Sequence, residues 1–307
     1  MRTDNLARLI ESHHGAHLYC HVLIDPLATA HDGDHAVLAP LRNALGEQAL
    51  TRVHRADLAH APQLHPVLVC LASPGMVPSR RLLELTARAA QRALFQQRRY
   101  LCGWLFSEAP SATVASHLTA LCRLPDSNRE FGCYPVYEPI RLELLAATFE
   151  RLEQGPWWPI SDWLFLSSGG RLASLKGQSG QRHPLPTPAR RIQDDVGLIE
   201  RVLATWRVLR VGSQHINQCQ IPPFAAVRAS NHIDDARRLG LSEMEDIVAF
   251  ALHHLSIHPR LHTVPAVGEM IDAAARGQAP LAALLARYSE AQWRQLIECL
   301  PKSENRS

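Results

Sequence analysis

"SRRLLELTARAAQRALFQQ" (Ser79–Gln97) is followed two residues later by "YLCGWLF" (Tyr100–Phe106). The first stretch sets Leu82, Leu83, Leu85, Ala89, Ala93 and Leu94 at helical spacing among arginines and glutamines, which gives one apolar stripe and one solvated face. The second is an unbroken apolar run of strand length, with no polar side to turn toward water. An amphipathic helix feeding a strand that must be covered on both faces predicts helices layered on a sheet.

The same alternation extends outward. "LYCHVLID" (Leu18–Asp25), "VLVCLA" (Val67–Ala72), "CYPVY" (Cys133–Tyr137) and "WLFLSS" (Trp163–Ser168) read as further strands. Thr113–Cys122, after a start at Ser111, and Ile140–Leu152, after Glu138-Pro139, read as further helices. The expected fold class is therefore α/β, with a mixed α/β lobe over residues 1–173. In "SLKGQSGQRHPLPTPARR" (Ser174–Arg191) three prolines and two glycines replace the pattern, so residues 174–191 read as a polar linker.

Residues 192–307 carry helical signals alone, predicting a smaller all-helical lobe. "DDVGLIERVLATWRVL" puts Leu198, Val202, Leu203, Trp206 and Leu209 on one face. "SEMEDIVAFALHHL" and "SEAQWRQLIECL" each open with capping-box spacing, Ser242 with Glu245 and Ser289 with Gln292.

Composition excludes several classes. A hydrophobic fraction of 46% and a charged fraction of 20% describe a folded chain. The net charge of +3 is too mild for a nucleic-acid footprint, and the arginines are spread over every segment. No stretch approaches the roughly 20 apolar residues of a membrane span. "MRTDNLARLIESHHG" carries Asp4 and Glu11 and no apolar run, so a secretory leader is not expected. The seven cysteines are scattered and form no C-x-x-C pair, as suits buried thiols in a reducing compartment. The expected location is cytoplasmic.

Candidate chemistry is sparse. "HDGDH" (His31–His35) and the spacing of His254, His258 and His262 offer metal-ligand types, although Pro259 disfavours helix at His258. Asp25 and Glu138 each sit where a strand gives way to a helix, a position for an acid–base carboxylate or a helix cap, although Glu138 is one methylene too long to be expected to cap well. There is no G-x-S-x-G, P-loop or G-x-G-x-x-G. No catalytic set, metal site or cofactor is expected. "GPWWPISDWLFL" (Gly155–Leu166) gathers Trp157, Trp158 and Trp163, residues that serve cores and interfaces alike.

Taken in order, these segments resemble a family. A strand ending in "LID" (Leu23–Asp25) comes first, then "GWLFS" (Gly103–Ser107) followed by a helix with Ser111 and Leu118 seven apart. A Tyr-acid-Pro turn at Tyr137-Glu138-Pro139 and then "GPWWPISDWLFLSSGG" (Gly155–Gly170) complete the series. The pattern is similar to the adaptor/chaperones that load effectors onto the type VI secretion spike, and it covers Leu18 to Leu175. The family's Arg-Phe-Tyr-Asp-Pro is matched here at Tyr137 and Pro139, with Glu138 as the acid and no basic residue at Pro135. Its Gly-Pro-(hydrophobic)-x-x-Trp ending corresponds to Gly155, Pro156, Ile160 and Trp163, and a His-Pro step in the helical lobe to His258-Pro259.

The resemblance implies a non-enzymatic adaptor bridging a toxic effector to a VgrG or PAAR spike protein. It makes Glu138 a helix start, and names Tyr137, Glu138, Trp157, Trp158 and Trp163 as partner-binding residues. The rival expectation is a metal-dependent hydrolase using "HDGDH" with Asp25 or Glu138.

Overall fold

The structure is a computed structural model and describes residues 2–29, 37–96, 98–125, 131–149, 155–179, 185–186, 188–212, 222–298 and 300. The chain forms two compact units, Met1–Asp194 and Asp195–Ser307.

The first unit is mixed α/β. Its helices are α1 (Thr3–Ser12), α2 (Leu38–Leu45), α3 (Arg80–Arg92), α4 (Ser111–Leu121), α5 (Pro139–Ala146) and α6 (Pro188–Asp194). Its strands are β1 (Tyr19–Ile24), β2 (Leu50–Arg52), β3 (Val67–Ala72), β4 (Leu101–Ser107), β5 (Arg123–Pro125), β6 (Phe131–Cys133), β7 (Asp162–Leu166) and β8 (Leu172–Lys176). Six of them form one sheet in the order β2-β3-β1-β4-β7-β8, and β5 and β6 form a separate ladder. Every described ladder is antiparallel.

β4 shows why the apolar runs are continuous. All seven of its residues are buried. Trp104 and Phe106 point into a core shared with Leu6 and Ile10 of α1 and Leu82, Leu83 and Ala87 of α3. Cys102 and Leu105 point into the opposite core, with Val114 and Leu118 of α4 and Leu142 and Leu145 of α5. Alternate residues of one strand thus feed two dry layers. One polar join fixes the first layer: the Thr86 hydroxyl accepts the Trp104 indole N–H at 3.0 Å and donates to the Leu83 carbonyl at 3.0 Å.

Several expectations change. "CYPVY" is a strand only at Cys133. Pro135 has no N–H, and the N–H groups of Val136 and Glu138 bond the carbonyls of Tyr134 and Pro135 at 2.7 and 2.9 Å, so this backbone is spent on a local turn. Ser174–Lys176, within the expected linker, completes β8, which pairs with β7 along its whole length. Pro188–Asp194 is helical and belongs to the first unit.

The second unit contains α7 (Val196–Gly212), α8 (Ala225–Arg238), α9 (Met244–Ser256), α10 (Pro265–Ala275), α11 (Leu281–Leu285) and α12 (Glu290–Glu298), with no strand among the described residues. α7 buries Ile199, Val202, Leu203 and Trp206, whereas Leu209 is exposed and Leu198 only half-buried. The capping box of α12 forms: the Ser289 N–H donates to Gln292 Oε1 at 2.8 Å and the Gln292 N–H to Ser289 Oγ at 3.4 Å. The one expected for α9 does not, because that helix starts a residue late, with Glu243 at the cap and no side-chain bond. Gly240 ends α8 at φ 89°, letting the Leu241 N–H reach back to the Ala236 carbonyl at 3.1 Å.

Gly103 lies where β4 meets β7. A Cβ there would stand 2.5 Å from the Leu164 carbonyl oxygen and 3.0 Å from Trp163 Nε1. The backbone of a central strand cannot yield that distance locally. Gly103→Ala is therefore expected to destabilise the protein by about 2 kcal/mol or more, read as a lower denaturation midpoint. An unchanged midpoint would mean the β4–β7 ladder is looser than the packing indicates.

Candidate functional site

The strongest polar constellation of the first unit lies where β1 ends and α5 begins. Asp25 follows β1 and is buried. Its Oδ1 accepts the Leu27 N–H at 3.0 Å and its Oδ2 accepts the Tyr137 hydroxyl at 3.3 Å. Arg55 Nη1 donates to that hydroxyl at 3.1 Å, while Arg55 also holds Asp57 with Nε at 3.1 Å and with Nη2. The Cys133 thiol donates to Asp57 Oδ1 at 3.1 Å. Three separate segments, at residues 25–27, 55–57 and 133–137, are thereby tied together.

Electrostatics follow from burial. Desolvation pushes the Asp25 carboxyl up, against the Leu27 N–H, the Arg55 charge, the Tyr137 hydroxyl and Arg98. Burial, and then the Asp25 carboxylate, push the Tyr137 phenol up. Burial likewise pushes up the Cys102 thiol, helped by Asp25 and Glu138.

Glu138 is the cap of α5. Its backbone is extended (φ −65°, ψ 132°), Pro139 takes the first helical position, and Oε2 accepts the Arg141 N–H at 3.2 Å. The longer acid reaches the third N–H of the helix, as a shorter capping side chain would.

The tryptophan segment divides. Trp157 and Trp163 are fully buried and meet edge to face, with ring centroids 6.4 Å apart, and Phe149 meets Trp157 in the same manner at 5.8 Å. Gly155 is required by this packing, since a Cβ there would fall 2.0 Å from the Trp157 ring. Trp158 alone is open to solvent, at 37% exposure. Of the five expected partner-binding residues, Tyr137, Glu138, Trp157 and Trp163 are buried, and only Trp158 presents a ring to the surface.

Of the histidine groups, "HDGDH" lies outside the described residues. In the second unit, His254 Nδ1 meets the Phe250 carbonyl at 2.8 Å, and Nε2 accepts the His262 backbone N–H at 3.2 Å. His254 therefore carries its single proton on Nδ1. His262 and His232 flank it, with ring centroids at 5.2 and 5.4 Å, and Phe250 stacks at 3.8 Å. His258 stands apart, its Nδ1 accepting the Arg260 N–H at 3.1 Å. Among the described residues no group of three or more His, Cys, Asp or Glu is placed to hold a metal ion. Among them, too, no helix is long and apolar enough to cross a membrane.

Sequence reasoning found Asp25, Tyr137 and Glu138 but not Arg55, Asp57 or Cys133, which join them through space. "RVHRADL" (Arg52–Leu58) has no periodicity, and only its one arginine–aspartate pair two residues apart hinted at a turn.

Two expectations follow. Tyr137→Phe removes the hydroxyl shared by Asp25 and Arg55 and should cost about 1–3 kcal/mol of stability, seen in denaturant unfolding. No loss would mean that water replaces the phenol there. In the second unit, burial pushes His254 down to about 3, and burial also lowers His232 and His253. The unfolded chain binds protons near the ordinary value of 6.5 that the native state refuses. Stability should therefore fall as pH drops from about 6.5 toward about 3, by up to about 1.4 kcal/mol per pH unit for His254, with His232 and His253 acting in the same direction. Denaturant midpoints measured across that range test the slope, and His254→Gln should flatten it.

Set beside known proteins, the chain matches no family model, no curated protein and no solved structure.

Proposed function

We propose that the protein is a non-enzymatic adaptor and chaperone that binds a toxic effector in the cytoplasm and loads it onto the VgrG or PAAR spike of a type VI secretion system. One observation carries the reading: the segments of the resemblance pack against one another. The strand ending in "LID" pairs with the "GWLFS" strand from Tyr19↔Ser107 to Ile24↔Leu101. Its final acid, Asp25, takes the hydroxyl of the Tyr-acid-Pro tyrosine. Trp163, which closes the Gly-Pro segment, shares one core with Tyr137 and pairs across β4 at Leu105. Sequence motifs separated by up to 140 residues behave as a single packed module, as inherited framework residues do.

The carboxylates available to the rival hydrolase support the same reading. Asp25 is buried and bonded on both oxygens, and Glu138 caps a helix. A binding role leaves recognition to exposed groups such as Trp158 and surface arginines, and arginine suits bidentate contacts with a partner's carboxylates.

Co-expression with the effector encoded beside it, followed by pull-down, tests the proposal. Full-length protein should retain the effector, raise its yield and capture a spike component. A chain ending at Asp194 should keep at most one partner. Trp158→Ala should weaken retention about tenfold without lowering the denaturation midpoint. Full-length protein that binds neither partner, yet holds stoichiometric zinc or manganese and hydrolyses a substrate alone, would replace the adaptor reading with the hydrolase.

A further inference from the structure

A second polar arrangement lies on the other side of β1 from the strand's first core. His21 sits in the middle of β1 and is buried completely. Its Nε2 meets the hydroxyl of Ser111, at the first position of α4, at 3.0 Å. Ser111 is only half-buried, and Glu108, Pro110, Ala112 and Thr113 around it are exposed. The Tyr19 ring stacks on the imidazole at 5.7 Å with 21° between planes, restraining its rotation. Cys70, paired with His21 across the β1–β3 ladder, turns its thiol to the Ala72 carbonyl at 3.5 Å.

We propose that Ser111 is a nucleophilic serine activated by His21, and that it accepts an acyl group from an activated acyl ester. The elements are a reachable hydroxyl, a buried base within hydrogen-bond distance, and a helix start. The Ser111 Oγ adds to the acyl carbon while its proton passes to His21 Nε2. The resulting oxyanion would take the N–H groups of Ser111 and Ala112 at the start of the eleven-residue α4, since those of Thr113 and Val114 already bond the Pro110 carbonyl. Collapse breaks the bond to the leaving alkoxide or thiolate, which takes the proton from the imidazolium. The products are an O-acyl serine and a free alcohol or thiol, and no electron changes hands.

Burial pushes His21 down to about 4, so at neutral pH the ring is neutral, and Nε2 accepts in the tautomer that carries the proton on Nδ1. The same burial makes the ring a weak base, so the transfer is slow. His21 Nε2 meets the Ser111 hydroxyl, whereas the Cys70 thiol is turned to the Ala72 carbonyl, which makes the hydroxyl the acceptor of the acyl group. His21 and Ser111 are 90 residues apart, so no sequence motif announces them.

This proposal stands apart from the adaptor reading, because a stoichiometric acyl mark suits a protein that turns nothing over. Full-length protein treated with a fluorophosphonate, and separately with p-nitrophenyl acetate, should gain one adduct that peptide mapping places on Ser111. Ser111→Ala should abolish it, His21→Gln should slow it by about 100-fold, and Cys70→Ser should leave it unchanged. Wild-type protein alone gives a second readout should His21→Gln fail to fold. A hydroxyl without a base loses reactivity about tenfold per pH unit as the solution is acidified, whereas labelling through His21 should hold steady from pH 8 to 5 and drop only near its pKa of about 4. No adduct, an adduct elsewhere, or the tenfold-per-unit slope would overturn the proposal. Continuous release of p-nitrophenol that needs both side chains would keep the site and overturn the non-enzymatic reading instead.

Discussion

The first unit depends on a strand that cannot face water on either side. β4 is buried at all seven positions, and it has no polar residue to spare until Ser107. Such a strand is stable only if helices cover both faces of the sheet, and the chain supplies them from both directions. α1 and α3 close one face while α4 and α5 close the other. The alternation of a pleated strand then decides which residue meets which helix. Trp104 reaches Thr86 of α3, and Leu105 reaches the layer of Val114 and Leu118. Gly103 sits between these assignments because β7 comes too near for a side chain.

This constraint also explains the polar groups at the sheet's rim. Where β1 leaves the sheet, the chain must turn without stranding a carboxylate in the core. Asp25 is held by the Leu27 N–H and by Tyr137, and Tyr137 is held in turn by Arg55. Removing any one partner would leave a buried donor or acceptor exposed to nothing. A second tie of the same kind serves the hairpin of β7 and β8, where Glu143 accepts the Ser168 N–H at 2.6 Å and its hydroxyl at 2.8 Å. These are joints between elements, and their chemistry is the chemistry of satisfied hydrogen bonds.

The sequence made the layered architecture legible because burial on both faces writes a continuous apolar run, and a helix on a sheet writes a stripe. Four of the five strands expected from such runs are present. The fifth, "CYPVY", has the right composition but also Pro135, and its backbone bonds close locally instead of across a ladder. β8 went unread for the opposite reason: Leu172–Lys176 is partly exposed and carries no β-branched residue, so only its pairing with β7 makes it a strand. Capping boxes were legible where the spacing and the helix start agree, at Ser289, and misled at Ser242, where the start shifts by one residue. Through-space partners such as Arg55 with Tyr137, or His21 with Ser111, left no periodic trace.

The two polar sites of the first unit contain similar materials and differ in access. At the end of β1, the acid, the phenol and the guanidinium are all buried, and each saturates the next. No outside molecule can reach the carboxylate without first breaking a hydrogen bond that holds the fold. At the centre of β1, the base is equally buried, but its hydrogen-bond partner is a hydroxyl at a helix start beside exposed neighbours. A proton released there has a neutral imidazole to enter. Residue type and perturbed charge alone do not separate a joint from a reactive site. The separation comes from whether the network closes inside the protein or ends on a residue that is only half-buried, and Ser111, unlike Asp25 or Glu138, is such a residue.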